Sequence, residues 1–167
     1  MRTATLITLA VLVTTSALAA EPSGCDKFKW PIERERAALA APDRLALISG
    51  AELTTMPPLT MTIGLKPSAD VALPLPSERA AAAGTFAGFI SVESTLPAGV
   101  YSISMSSNAW VDVVQNNRLL KPTAFSGATD CDGIRKTVKF ELAAKPFVIQ
   151  ISGLKDNIVT LAVLPSD

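Results

Sequence analysis

The chain has 167 residues, with 15 basic and 15 acidic side chains, two cysteines and no histidine. That length suits one domain, and a balanced charge without any basic run argues against the concentrated positive surface that nucleic-acid binding needs. The missing histidine removes Ser-His-Asp and Cys-His catalysis and the usual ligands for zinc and non-haem iron.

In chain order, residues 1–19 come first, with the three-part anatomy of a secretory signal peptide. Arg2 is the charged start, Ala4 to Val13 the apolar run, and Ala17-Leu18-Ala19 the small residues that a signal peptidase reads. A transmembrane anchor fits less well, because Thr14, Thr15 and Ser16 break the run before the roughly 20 apolar residues that a span needs. Cleavage after Ala19 removes Arg2 and no acid, which leaves the mature chain slightly negative. No later segment is long and apolar enough to span a bilayer, so a periplasmic or secreted protein is expected.

Cys25 and Cys131 are the two cysteines. A pair in an exported protein suggests one disulfide. It would close most of the chain into a single loop, and the chain-entropy model gives about 4.7 kcal/mol for a loop of ~100 residues. Lipidation of Cys25 is disfavoured, since Glu21-Pro22-Ser23-Gly24 separates it from the apolar run.

Residues 20–56 form an N-terminal segment with a short helix expected near Ile32 to Ala40. Pro31 suits a first helical turn. Glu33 and Glu35 lie where the helix dipole favours anions. Ile32, Arg36 and Leu39 fall on one face, and Pro42 ends the run. The next zone, to Ala83, is punctuated by Pro57, Pro58, Pro67, Pro74 and Pro76. Within it Leu59 to Leu65 alternates as a half-buried strand does, and Ser77 to Ala83 reads as a helical turn or a loop.

From Phe86 onward the alternation is continuous. Phe86, Gly88, Ile90 and Val92 share a face; so do Tyr101, Ile103 and Met105; Val111 and Val113; Val138, Phe140 and Leu142; Phe147, Ile149 and Ile151; and Val159, Leu161 and Val163. Turn residues separate these runs at Pro97-Ala98-Gly99, Asn116-Asn117, Ala143 to Pro146, and Lys155-Asp156-Asn157. The expected fold is therefore mostly β, a single antiparallel β-sandwich or jelly-roll-like domain over residues 57–167.

No Gly-rich phosphate loop and no GxSxG elbow occurs. Carboxylates are what remains for catalysis: Asp112, and Asp130 and Asp132 flanking Cys131. A pair of them held roughly 5 to 9.5 Å apart could hydrolyse glycosides. As turn residues, Asp130 and Asp132 would instead bond local backbone. Calcium wants six or more oxygens, and the acids here are sparse. Trp110 could stack a ligand on the sheet, although a Trp among β-branched residues is more often core. Arg135-Lys136 reads as an exposed strand start or, more boldly, an anion or partner contact near the disulfide. The candidate ligand-binding residues are thus Trp110, Asp112 and Arg135, with no metal and no cofactor expected.

Several strings carry a resemblance. Gly24-Cys25-Asp26-Lys27-Phe28-Lys29-Trp30-Pro31, Leu96 to Tyr101, Ala109 to Val114, Cys131-Asp132-Gly133-Ile134-Arg135-Lys136 and Phe147 to Gly153 resemble a family of short exported alphaproteobacterial proteins. Some of its members bear the name homogentisate 1,2-dioxygenase. Enzymes of that activity are far longer and hold iron through histidines and a carboxylate, so none of their site residues can be carried onto this chain. Ala98 to Val114 also resembles jelly-roll domains appended to secreted peptidases, which implies fold rather than function. Together these readings point to a non-enzymatic, exported β-sandwich that binds an unknown protein or small-molecule ligand. A carboxylate-dependent hydrolase and a structural envelope protein are the alternatives.

Overall fold

Strands that are apolar on one face must bury that face against another layer, and the chain does so as two packed sheets. A computed structural model describes residues 21–55 and 60–166. The expected signal peptide lies outside the described residues.

The strands are β1 (Leu45–Ile48), β2 (Ala51–Leu53), β3 (Thr60–Gly64), β4 (Lys66–Pro67), β5 (Phe86–Val92), β6 (Gly99–Met105), β7 (Trp110–Gln115), β8 (Arg118–Leu119), β9 (Ala124–Gly127), β10 (Lys136–Leu142), β11 (Phe147–Leu154) and β12 (Ile158–Pro165). The first sheet runs β1-β3-β12-β6-β10-β9. The second runs β2-β5-β11-β7-β8, with β4 also pairing β5. Most pairings are antiparallel, as expected, but β1–β3 and β2–β5 are parallel. The sheets are therefore mixed. The sandwich also reaches back beyond residue 57, since β1 and β2 supply an edge of each sheet.

Register lines up the core. Ile103 stands between Val138 and Val163 in the first sheet, and Ile149 between Ile90 and Val113 in the second. All six are buried in one cluster. Each such side chain contributes on the order of 1.5–3 kcal/mol on leaving water. Asn116 and Asn117, at φ 53° and 55°, make the two-residue turn joining β7 to β8, a geometry that asparagine tolerates.

The outer face of each sheet carries a cover. Over the first sheet lie the N-terminal segment and α1 (Glu33–Ala40). Ile32, at φ −128° and ψ 10°, caps the helix, so Pro31 lies just outside it rather than in its first turn. Ile32, Ala38 and Leu39 pack with Cys131, Ile134, Ala162 and Leu164 in a second, smaller core. Glu35, placed by the sequence in the first turn where the helix dipole favours anions, is buried. Thr60 Oγ1 donates to the Ala38 carbonyl at 2.7 Å. Cys25 and Cys131 are bonded, with Cα atoms 4.7 Å apart. Beside them the Gly24 N–H donates to the Thr129 carbonyl, and the Thr129 N–H to the Pro22 carbonyl, both at 2.8 Å.

Over the second sheet runs the proline-rich stretch around Leu75, which forms neither helix nor strand. Pro74 and Pro76 have no N–H to offer a ladder, so sheet side chains reach its backbone instead. Gln150 accepts from the Leu75 N–H at 2.8 Å and donates to the Leu75 carbonyl at 3.0 Å.

Candidate functional site

Trp110, Asp112 and Val114 alternate with the core residues Val111 and Val113, so they stand on the outer face of β7. Asp112 is only 5% exposed, and a carboxylate so placed must be hydrogen-bonded. Its Oδ1 accepts from the Trp110 indole N–H at 2.8 Å. Its Oδ2 accepts from the Ser77 hydroxyl at 2.6 Å and the Glu78 N–H at 3.3 Å. Asp112 thus fixes the indole and ties the proline-rich cover to the sheet in one step.

Trp110 itself is half-buried. The Lys136 ammonium lies 5.1 Å from the centre of its ring and the Arg79 guanidinium 5.9 Å, both within reach of a cation–π attraction. Lys136 belongs to the inward-facing row of β10 with Val138 and Phe140, but at the strand's first position, where the sheets part. Its Nζ donates to the Ala109 carbonyl at 3.0 Å. Burial, then the repulsion of Arg79 and Arg135, hold the Lys136 amine below the usual lysine value of 10.5, while Asp112 and Glu21 pull it partly back.

Around this group the surface is concave. One hollow of about 390 Å³ runs from Trp110 and Lys136 along Val111, Val138, Pro122 and Phe125 to Arg135, Glu21 and Pro22. A second, of about 210 Å³, continues on the other side of Trp110 and Lys136 past Ala80 and Ala82 to Ser152 and Gly153. Both share Arg79, Asn108, Trp110 and Lys136. The larger falls in the size range of small-molecule sites, which combine apolar walls with a few polar groups. Phe125 is 61% exposed on its wall, with the Lys29 ammonium 4.7 Å from its ring centre. Gly127 lets β9 lie close to β10 here, since a Cβ on it would come within 2.9 Å of the Arg135 carbonyl oxygen.

Arg135 joins the cleft from the residue preceding β10. Its side chain is 20% exposed and is ion-paired to Glu21. The fold therefore brings the three residues singled out in the sequence to one place, though in different roles. Trp110 and Arg135 line the cleft, whereas Asp112 lies behind Trp110 and holds it. Asp130 and Asp132 are exposed in the turn before β10, and neither lines the cleft. Asp130 accepts from the Ser23 hydroxyl at 2.6 Å, a side chain 107 residues away in the chain, rather than bonding the local backbone as expected of a turn acid. Among the described residues, no group of three or more His, Cys, Asp or Glu is placed to hold a metal ion. No helix among them is long and apolar enough to cross a membrane.

Arg79 and Phe125 were not legible as site residues. Arg79 sits in an alanine-rich loop whose course is set by Asp112 and Gln150, far away in the chain. Compared with protein families, curated proteins and solved structures, the chain matches none.

Proposed function

We propose that this protein is an exported, non-enzymatic binding module, and that its ligand site is the Trp110 cleft. The carrying observation is an aromatic ring fixed from behind by Asp112 and flanked by two cations at a cavity mouth. Ordinary core packing does not need that arrangement. Export rests on the signal-peptide pattern of residues 1–19 and agrees with the disulfide, which persists in oxidising compartments. The resemblance to short exported alphaproteobacterial proteins points the same way. A hydrolase would need two carboxylates converging on one cavity; here Asp112 is engaged by three donors and Asp130 and Asp132 stand apart in a solvated turn.

The test is native mass spectrometry of the protein purified gently from periplasm or culture medium, beside Trp110→Ala. A small molecule retained by the wild type and lost from the variant is expected. Identical spectra, with nothing retained or with the same adducts on both, would contradict the site.

A further inference from the structure

We infer that the Trp110 cleft takes an organic carboxylate, its anionic end held by Lys136 and Arg79 and its apolar body lying against Trp110 and Phe125. This rests on the proposed binding role and adds the chemistry of the ligand. The first argument is charge. Arg79, Arg135 and Lys136 converge on the cleft, and two acids lie near them. One acid, Asp112, already accepts from Trp110, Ser77 and Glu78. The other, Glu21, pairs with Arg135. Lys136 and Arg79 thus face the hollow with their charge turned to an aromatic ring and a backbone carbonyl, both weaker partners than a carboxylate.

The second argument is that a carboxylate already occupies one end. Glu21 is an exposed residue whose side chain reaches into the wall of the hollow to the guanidinium of a mostly buried arginine. It shows what the cationic wall accepts. Such an ion pair with an exposed partner is weak, so Glu21 leaves the cationic wall open to a ligand carboxylate at Lys136 and Arg79. The third argument is shape. The wall between the cations is apolar, formed by Val111, Val138, Pro122 and Phe125, which a simple inorganic anion would leave unused.

Three probes separate these points: 2-naphthoate, its neutral analogue 2-naphthamide, and acetate, titrated calorimetrically into the purified protein. A hydrogen bond to a charged group is worth about 1.5–3 kcal/mol, so naphthoate should bind roughly 10- to 150-fold tighter than naphthamide. Lys136→Gln should remove most of that preference. Arg79→Ala, at an exposed position, should narrow it by about 2- to 5-fold without touching the fold. Glu21→Gln should raise naphthoate affinity by a similar factor. Equal binding of naphthoate and naphthamide, both lost in Trp110→Ala, would overturn the carboxylate assignment and leave the cleft as the site. Acetate binding as tightly as naphthoate would overturn the apolar half of the assignment. Failure of naphthoate to bind would overturn the assignment outright, and the mass-spectrometric comparison would still decide the site.

Discussion

The two sheets are covered by different means. The first sheet's cover is greasy and covalently fastened: Ile32, Ala38 and Leu39 pack on Ala162 and Leu164, and the Cys25–Cys131 bond ties the segment down. The second sheet's cover has little apolar anchorage and is held by polar side chains of the sheet, Asp112 and Gln150, reaching up to its backbone and to Ser77. The two nevertheless finish at the same cleft, Glu21 and Pro22 from one and Arg79 from the other. One wall of the cleft is thus bolted and the other hydrogen-bonded. The hydrogen-bonded wall is the one placed to adjust, since local openings draw on segments with few buried apolar contacts.

That contrast can be broken from either side. The largest effect is expected from replacing both cysteines with serine, which should cost about 2–5 kcal/mol in urea unfolding. A loss under about 1 kcal/mol would mean that the small core alone holds the first cover. Next, Asp112→Ala leaves the Trp110 indole N–H, the Ser77 hydroxyl and the Glu78 N–H without their acceptor. It should cost about 1–3 kcal/mol and speed amide exchange in residues 75–82 while residues 25–40 stay protected. Equal acceleration of both segments would show that the covers are not independent. Gln150→Leu removes two hydrogen bonds to Leu75 and should cost about 1 kcal/mol, again with exchange changing only in the second cover.

The smallest change to the molecule, a single proton, concerns pH. Lys136 faces Arg79, Arg135, Asp112, Glu21 and the Trp110 ring, and burial with the two arginines lowers its amine below 10.5. As pH rises through that lowered value the ammonium loses its charge, and naphthoate affinity should fall at a pH where an ordinary lysine is still charged. Affinity constant up to pH 10.5 would separate Lys136 from binding.

The core strands were legible because burial writes itself as alternation: Val138, Phe140, Leu142 and Ile149, Ile151 read inward in the sequence and lie inward in the structure. The disulfide followed from cysteine count and context. The parallel pairings of β1 and β2 were not legible, since short strands such as Ala51–Leu53 carry no sign of direction. The covers were hidden for a different reason. Asp112, Gln150 and Ser152 look like solvent-facing positions of half-buried strands, yet all three are buried, because a distant proline-rich segment lies across them. Trp110 looked like core because a Trp among β-branched residues usually is, and Asp112 looked exposed because alternation assigns a side chain to a face but says nothing of what covers that face. Arg79 reached the cleft only through that cover.

The central claim is that Trp110, and not the second tryptophan, Trp30, marks a binding site. The most direct measurement follows the two indole N–H signals by ¹⁵N-correlated NMR while 2-naphthoate is added, with Trp110→Phe to assign them. The Trp110 signal, whose N–H is bonded to Asp112, should move in a saturable way while that of Trp30 stays fixed. Movement of the Trp30 signal alone, or naphthoate bound by calorimetry while neither signal moves, would contradict the account.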